Sequence, residues 1–258
     1  PSFTAPEAKV LVVDDNRINR ELIQALLKET QVQVFTVENG KSCLSFLEKM
    51  SVDIVLMDHM MPEMDGVETL HALHDRNLCK DTPIIALTAN AMIGARERYM
   101  KEGFDDYISK PVEGEYLEKM ICRYLLSENK VNVTRQTEIP PPSNMSGVSL
   151  AHGRDERYLD VALGRHFCGD NIVLYEKMQE DFVAEKEEQS DKISKAMQLE
   201  DWKSYVIGVH GLKSAAMIIG AAQLSKEAKW LEEAGKKGDA EYIRANHANV
   251  MELYDQVV

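Results

Sequence analysis

The first half of the chain alternates between short apolar runs and segments with helical spacing. The first run, KVLVVDD, is continuous and rich in valine, which is typical of a strand covered on both faces. Runs predicted as strands occupy residues 9–15, 32–39, 52–58, 82–89 and 105–110. Segments predicted as helices follow at residues 17–30, 41–50, 67–75, 91–103 and 113–126. Five strands alternating with five helices predict an α/β doubly wound fold with a five-stranded parallel sheet.

The second half is helical throughout, and a polar segment separates it from the first. Residues 127–147 contain three consecutive prolines and little periodicity, which is typical of a linker. Helices are predicted at residues 156–167, 170–199, 201–219, 221–236 and 239–257. Asp170, Asp201 and Asp239 stand where each would cap a helix. We therefore expect an all-α bundle with a four-helix core. The predicted parts are an N-terminal tail (1–8), the α/β domain (9–127), a linker (128–149) and the bundle (150–258).

Composition narrows the classes of partner. The 258 residues carry a formal charge of −13, and both halves share the acidic excess, which argues against a general nucleic-acid-binding surface. The cysteines lie far apart without a CxxC pair, so we expect reduced thiols and no zinc site. No apolar run approaches the ~18–20 residues that a membrane span needs, and no signal peptide is evident. We expect a cytoplasmic location, without membrane contact by this segment. Because the chain begins at Pro1 rather than Met, we expect it to be part of a longer protein.

Polar side chains stand at the ends of several predicted strands. They are Asp14 and Asp15 after the first strand, Asp58 after the third, Thr88 after the fourth and Lys110 after the fifth. Ligands of open α/β sheets bind beyond the carboxyl ends of the strands, so these side chains are expected to converge. Three neighbouring carboxylates repel one another, and a hard divalent cation such as Mg²⁺ relieves that repulsion. Lys110 and Thr88 then remain to contact the oxygens of a phosphoryl group. Singly, an aspartate after a strand is more often a turn cap, and only the combination indicates chemistry.

These residues resemble the receiver domain of response regulators. The resemblance rests on the segments VLVVDDN, VLMDHMMPEMDG, IIALTA and YISKP, in this order within residues 9–126. It implies a flavodoxin-like fold and makes Asp58 the phosphoacceptor. It also implies that Asp15 and Asp58 ligate Mg²⁺, together with the backbone carbonyl of Met60 and with Asp14 through a water molecule.

The same resemblance assigns roles around the acceptor. Thr88 and Lys110 would contact the phosphoryl group, and Tyr107 would be the aromatic side chain whose burial reports phosphorylation. The Lys110–Pro111 peptide bond would be cis. His59, next to the acceptor, is predicted to be exposed rather than catalytic.

A histidine stands out in the predicted helix at residues 206–224. At 100° per residue, the positions predicted to face the bundle core are Val209, Leu212, Ala215, Ala216 and Ile219. The opposite side, expected near solvent, carries His210, Lys213, Ser214 and Met217. A neutral imidazole is a competent nucleophile, and Lys213 can steady phosphoryl oxygens as a point charge. The remaining histidines are expected to be ordinary surface or core residues.

The segment HGLKSAAMIIGAAQL resembles the HxLK(G/S)…G signature of histidine phosphotransfer (HPt) domains, and ALGRHFCGDNIVLYEKMQEDF is similar to their N-terminal helices. The resemblance covers residues 150–258. It implies phosphorylation of His210 on a ring nitrogen, with Lys213 assisting. A receiver followed by an HPt domain resembles the C-terminal part of hybrid sensor histidine kinases.

The two resemblances together imply a multistep phosphorelay. Phosphoryl would pass from an upstream histidine kinase to Asp58, then to His210, and then to a separate downstream response regulator. We find neither a P-loop nor the glycine-rich boxes of a kinase core, so the chain is expected to be a phosphotransfer intermediate that does not use ATP itself.

Three alternatives remain open from the residues alone. The chain could be an interaction module with a degenerate bundle, although the intact His210–Lys213 pair argues against this. It could be a phosphate sink, since aspartyl–histidyl transfer is reversible. A small-molecule phosphohydrolase is less favoured, because such enzymes usually carry a second carboxylate where this chain has Met60.

Overall fold

The computed structural model describes residues 3–89, 95–126, 132–133 and 158–258. The start of the helix predicted at 91–103 lies outside these residues. So do the predicted linker, apart from residues 132–133, and the first residues of the predicted bundle. The bounds drawn between the domains therefore stay predictions.

Five parallel strands form the sheet of the first domain. They are β2 (Lys9–Val13), β3 (Gln33–Val37), β4 (Ile54–Asp58), β5 (Ile84–Thr88) and β6 (Asp106–Ser109). Their order is β3-β2-β4-β5-β6, with all four pairings parallel. The predicted doubly wound sheet is confirmed, and its order is the flavodoxin-like one, with the switch point between β2 and β4.

Both faces of the sheet are covered, which explains the apolar runs. One cluster of buried side chains takes Val10, Val12 and Leu56 from the central strands. The other cluster takes Leu11 and Val55 from the opposite face of the same strands. Successive strand residues point to opposite faces, so every position of a doubly covered strand is apolar.

Helices cover the two faces of the sheet. They are α1 (Arg17–Leu26, followed by a 3₁₀ turn at Lys28–Thr30), α2 (Gly40–Leu47), α3 (Gly66–Asp75), α4 (Ala95–Glu102) and α5 (Gly114–Leu126). Asn16 and Asn39 cap α1 and α2 by accepting bonds from Asn19 N and Ser42 N. Asp65 forms a capping box with Glu68 at the start of α3.

A small antiparallel pair joins the two ends of this domain. Strand β1 (Phe3–Thr4) pairs with β7 (Asn132–Val133). Phe3 is fully buried among the side chains beneath the sheet. The segment expected as an N-terminal tail therefore adds to the core of the first domain.

The second domain consists of helices. They are α6 (Val161–Phe167), α7 (Ile172–Gln198), α8 (Trp202–Ile218), α9 (Ala222–Lys237) and α10 (Ala240–Val257). The predicted caps Asp201 and Asp239 are confirmed, since they accept bonds from Ser204 N and Tyr242 N. The prediction for Asp170 is wrong. Asp170 takes a left-handed φ of 57°, and the next residue, Asn171, caps α7. Both residue types cap helices well, so the sequence alone placed the boundary one residue early.

Helix α1 packs on both domains because it carries two apolar stripes. Ile23 and Leu27 are buried beneath the sheet. Ile18 and Leu22, each 1% exposed, belong instead to the core cluster of the second domain, together with Phe182 of α7. Residues 18 and 23 are about 140° apart on a helix at 100° per residue, so the two stripes face different partners. This packing brings the helical bundle over the edge of the sheet where β2 ends.

Candidate functional site

The carboxylates predicted to converge lie together at the carboxyl ends of β2 and β4. One oxygen from each of Asp14, Asp15 and Asp58 lies within 4.8 Å of the others. Asp14 is 0% exposed and Asp58 is 1% exposed. Arg20 of α1 donates to the carbonyl oxygens of Asp14 (2.6 Å) and Asp15 (3.0 Å), which fixes the end of β2 against the helix.

Lys110 completes this edge from the end of β6. Its Nζ lies 2.6 Å from Asp14 Oδ2 and 2.6 Å from Asp58 Oδ2, and its side chain is 2% exposed. Burial alone would lower the pKa of the ammonium group, but the two carboxylates outweigh burial and raise it. The Lys110–Pro111 peptide bond is cis, as expected.

The carboxylates are destabilised as anions in this position. Burial raises the pKa of Asp58 to about 8, with the negative charges of Asp14 and Asp15 adding to the effect and Lys110 opposing it. Burial and the charge of Asp14 raise the pKa of Asp15 to about 7. A divalent cation would reverse this, because it favours the ionised oxygens that ligate it. The three aspartates therefore fit a hard cation such as Mg²⁺ in both ligand type and charge.

The turn after Asp58 also carries a local hydrogen bond. Met60 N donates to Asp58 Oδ1 at 3.3 Å, so Asp58 caps this turn as well as facing the acidic edge. Asp58 can therefore cap a turn and, at the same time, belong to a cation-binding group of carboxylates.

An aromatic cluster lies beside Asp58. Thr88 Oγ1 and Tyr99 Oη share a 2.7 Å hydrogen bond, and Tyr99 is 3% exposed. Tyr107 stacks on Tyr99 with ring centroids 6.2 Å apart and is itself buried. His59 packs edge-on against the Tyr99 ring at 5.3 Å, and burial lowers the pKa of its imidazole. The prediction that His59 is exposed is wrong, because Tyr99 of α4 covers it.

Sequence analysis missed Tyr99. It stands in the charged segment ARERYMKE, where a single aromatic residue gives little periodic signal. The available sign was that Tyr99 is the one aromatic residue of α4, the next described helix after the strand that ends at Thr88.

His210 lies in the second domain within a buried charged network. Its Nδ1 is 3.0 Å from Glu232 Oε1 of α9. Glu232 is 3% exposed, and it also pairs with Lys213 and Lys236. Ser225 donates to the Lys213 carbonyl oxygen at 2.9 Å, which ties α8 to α9 at this level.

This network defines the chemical state of the imidazole. Burial lowers the pKa of His210 to about 4, although the hydrogen bond to Glu232 opposes that shift, so the ring is neutral near pH 7. Burial alone would raise the pKa of Glu232, but the hydrogen bond from His210 and the neighbouring lysine charges hold it well below its usual range. The anionic Glu232 acceptor at 3.0 Å from Nδ1 favours the proton on that nitrogen over donation from Lys213 Nζ, which lies farther away at 3.4 Å, and this leaves the lone pair on Nε2. Nε2 is buried and, within the described part of the chain, has no hydrogen-bond partner.

The prediction that the His210 face is near solvent is wrong. His210 is 5% exposed and Ser214 is 3% exposed, while Lys213 and Met217 are partly buried. The cause is the first domain, since Asn16 at the start of α1 donates from Nδ2 to Gly211 O at 3.2 Å. The predicted core side of α8 is confirmed, because Val209, Leu212, Ala215, Ala216 and Ile219 are all buried.

The two sites face each other across this contact. After burial and the local effects of Glu232, the positive charge of Lys110 still lowers the pKa of His210 and of Lys213. In the other direction, the charge of Lys236 lowers the pKa of His59. An acidic strand edge bearing a lysine therefore lies opposite a neutral histidine whose Nε2 has no partner among the described residues.

Each half of the chain matches the model of a known domain family. Residues 10–122 match the response regulator receiver domain, and residues 177–257 match the Hpt domain. The chain therefore carries a receiver domain followed by an Hpt domain, and it has a role in phosphorelay signal transduction.

Two of the relatives are sensor kinases. The signal transduction histidine-protein kinase BarA of Shigella flexneri is 38% identical over 115 residues, which are 45% of this chain and 12% of BarA. The sensor histidine kinase GacS of Pseudomonas protegens is 28% identical over 241 residues, which are 92% of this chain and 25% of GacS. The chain thus spans a quarter or less of these two relatives.

Among solved structures, the receiver domain of the sensor histidine kinase PA1611 of Pseudomonas aeruginosa PAO1, with a coordinated magnesium ion, is 32% identical. It covers 46% of this chain and 97% of its own, with a TM-score of 0.42. Across the residues that our structure describes, no helix is both long and apolar enough to cross a membrane.

Proposed function

We propose that Asp58 receives a phosphoryl group from an upstream phosphohistidine and passes it to His210, which delivers it to a downstream response regulator. The observation that carries this proposal is the opposition of the two buried sites, Asp58 with Lys110 on one side and neutral His210 with Glu232 on the other. Each half also supplies what the other lacks, since an acyl phosphate needs an acceptor and a neutral imidazole needs a donor.

Asp58 would act first as a nucleophile. Its carboxylate oxygen bonds to phosphorus while the bond from phosphorus to the donor imidazole nitrogen breaks. Charge accumulates on the phosphoryl oxygens during this in-line transfer, and Lys110 is positioned to offset it. Thr88 would contact the same oxygens after its hydroxyl leaves Tyr99.

Mg²⁺ fits this edge as the cofactor. Asp15 and Asp58 would hold the ion directly with the Met60 carbonyl, and Asp14 would act through a water molecule. When bound, the ion neutralises charge on the phosphoryl group and keeps the carboxylates ionised. This chain's contribution is a buried, preassembled set of oxygen ligands.

His210 would then receive the group. The lone pair on Nε2 bonds to phosphorus as the bond between phosphorus and the Asp58 oxygen breaks, and the carboxylate leaves with that electron pair. The proton on Nδ1 stays hydrogen-bonded to Glu232, so the positive charge that develops on the ring lies beside an anion. Lys213, whose Nζ lies 3.4 Å from His210 Nδ1, would contact the transferred oxygens.

The alternatives are less well supported. A pure interaction module does not require the Glu232–His210–Lys213 network, and a small-molecule hydrolase needs an open cleft over Asp58, which is only 1% exposed. The similarity to BarA and GacS also supports the proposal that the chain is part of a hybrid sensor kinase, with a histidine kinase upstream.

The test is phosphoryl transfer from a radiolabelled donor histidine kinase in the presence of Mg²⁺. Wild-type protein should carry a base-labile acyl phosphate and an acid-labile phosphohistidine. Asp58→Asn should take up no label, and His210→Gln should hold label only as acyl phosphate and pass none to a response regulator. His247→Gln is the matched control, because His247 is another buried histidine of the bundle, bonded to Tyr205 and Ser194. Normal delivery by His210→Gln would contradict the proposal.

A further inference from the structure

Two polar atoms on helix α8 are buried without a hydrogen-bond partner among the described residues. They are Nε2 of His210 and the hydroxyl oxygen of Ser214, and the two residues are 5% and 3% exposed. A buried polar atom that makes no hydrogen bond has lost its hydration without compensation, and folded proteins keep few such atoms. The proposed function explains the nitrogen as the atom that attacks phosphorus. The hydroxyl, one turn further along the same helix, needs an explanation of its own.

The state of this hydroxyl is unusual for a serine inside a helix. Such a serine ordinarily reaches solvent or donates to the carbonyl four residues earlier, which here belongs to His210. Ser214 does neither. Other serines of the bundle do bond to their neighbours: Ser190 to Met251, Ser194 to His247 and Ser225 to the Lys213 carbonyl. The Ser214 hydroxyl is therefore left available to a group that does not belong to its own helix.

Ser214 and Lys213 flank His210 on opposite sides. On a helix with 3.6 residues per turn, Lys213 stands about 60° to one side of His210 and Ser214 about 40° to the other. The side of Lys213 faces α9, from which Glu232 reaches both Lys213 and Nδ1 of the imidazole. Ser214 lies on the side away from this network, so the bundle's charged groups do not occupy its hydroxyl.

The first domain closes the side of α8 that carries Ser214. Gly211 stands about 100° round the helix from His210, beyond Ser214 on the same side. The Gly211 carbonyl accepts the bond from Asn16 of the first domain. Side chains four residues apart on a helix are neighbours and lean toward its N-terminus, so Ser214 leans toward His210. The hydroxyl therefore lies between the imidazole and the domain that carries Asp58.

A phosphoryl group on Nε2 would supply the acceptor that this hydroxyl lacks. Phosphoryl oxygens are strong anionic acceptors, and a serine hydroxyl can donate one hydrogen bond. Lys213 pairs with Glu232 and lies 3.4 Å from Nδ1, the nitrogen that keeps its proton in the proposed transfer. A neutral donor on the other side of the ring would complement that cation without adding a second charge.

We propose that Ser214 is a further catalytic residue, whose hydroxyl donates a hydrogen bond to an oxygen of the phosphoryl group as that group arrives on Nε2 of His210. The inference rests on the proposed function and adds a donor that acts on the histidine side of the transfer. Ser214 forms no covalent bond and keeps its proton. Because the bond is made to the group on histidine, it favours both the rate of arrival and the share of phosphate that stays on His210.

The experiment uses the full chain, loaded with label on Asp58 by the donor kinase and then separated from it. The rate at which phosphohistidine appears and its final share of the label are both measured. Ser214→Ala and Ser214→Gly remove the hydroxyl, and each should slow transfer by about tenfold or more and lower the share on His210. Ser214→Thr keeps the hydroxyl and should stay within about threefold of wild type. Ser190→Ala is the matched control and should behave as wild type, because that hydroxyl bonds to Met251 Sδ between α7 and α10.

Stability separates a catalytic hydroxyl from a structural one. Loss of a buried hydroxyl that has no partner should leave the urea unfolding midpoint of Ser214→Ala unchanged or raise it, whereas loss of a structural bond would lower it. Slower transfer at an undiminished midpoint is therefore the expected result. A lower midpoint together with slower transfer would count against the inference.

The failure of this inference is distinct from the failure of the relay. If wild type holds label on Asp58 and none reaches His210, the proposed function fails and the role of Ser214 falls with it. If wild type delivers label to His210 and Ser214→Ala matches it in rate and in final share, the inference is overturned while the relay stands.

Discussion

Removal of the Glu232 carboxylate should slow phosphoryl transfer by leaving the imidazole without its fixed proton. Glu232 Oε1 is 3.0 Å from His210 Nδ1 and is the anionic acceptor that keeps the proton on that nitrogen. In Glu232→Ala, the ring can place its proton on either nitrogen and can turn about its bonds. In the proposed transfer, only the form with a free Nε2 lone pair can attack phosphorus, so the reactive fraction should fall.

The structure gives the expected size of the effect. A hydrogen bond to a charged group contributes about 1.5–3 kcal/mol, and each 1.36 kcal/mol changes a rate tenfold, so Glu232→Ala should transfer about 10–150-fold more slowly. Glu232→Gln keeps a neutral acceptor, and neutral bonds are roughly half as strong, so it should lose only about 3–10-fold. Lys213 loses its anionic partner in both variants, but its side chain is 13% exposed and Lys236 is 49% exposed, which gives both cations a route to water.

The assay measures single-turnover conversion of acyl phosphate to phosphohistidine, together with the ¹⁵N shifts of the His210 ring. Wild-type His210 should show a protonated Nδ1 and an unprotonated Nε2, and the variants should show a mixture. Glu233→Ala is the control, because the neighbouring Glu233 is 49% exposed and pairs at 3.9 Å with Lys229. Far-UV circular dichroism establishes that each variant is folded. A folded Glu232→Ala protein that transfers at the wild-type rate would refute this account of the nucleophile.

Three further predictions follow from the same geometry. The pKa of His210 is lowered to about 4 from 6.5, so the unfolded chain binds one more proton than the folded chain between these pH values. The free energy of unfolding should therefore fall as the pH drops from 6.5 to 4, by up to about 1.4 kcal/mol per pH unit. Urea unfolding should show a shallower fall for His210→Gln, and parallel curves would contradict the assignment. Mg²⁺ binding should release protons near pH 7 and tighten as the pH rises toward 9, because the pKa values of Asp15 and Asp58 stand at about 7 and about 8. Calorimetry in two buffers of different ionisation enthalpy measures this proton release, and equal binding heats in both buffers would contradict the prediction. Tyr99→Phe removes the hydroxyl that bonds to Thr88 and should lower the free energy of unfolding by about 1 kcal/mol. Denaturant titration measures this change, and an unchanged unfolding midpoint would show that the Tyr99–Thr88 hydrogen bond does not stabilise the fold.

The sheet and its acidic edge could be predicted because their signals are local. An apolar run marks a doubly covered strand, and the parallel order brings strand ends together wherever they lie in the chain. Asp58 and Lys110 are 52 positions apart, yet topology alone places them at one edge. No knowledge of side-chain packing was needed for that step.

The environment of His210 could not be predicted because helical periodicity shows only which side faces the core. The side opposite Leu212 was assigned to solvent, but α1 of the other domain covers it. The sequence feature that indicates this contact is the second apolar stripe on α1, formed by Ile18 and Leu22, which point away from the sheet. Glu232 was missed for a related reason, since a glutamate between Leu231 and Glu233 is ordinarily a solvated residue.

The packing of the two domains places groups of opposite net charge opposite each other. When all are ionised, three carboxylates outnumber one ammonium at the strand edge, whereas Lys213 and Lys236 outnumber Glu232 at the histidine site. Complementary potentials favour this register of docking once the carboxylates are ionised, although Lys110 faces the cations of the histidine site. In the proposed transfer from Asp58 to Nε2, the phosphoryl group would carry negative charge away from the crowded carboxylates and toward the two lysines. This difference in charge between the two sites would therefore lower the cost of the proposed transfer between them.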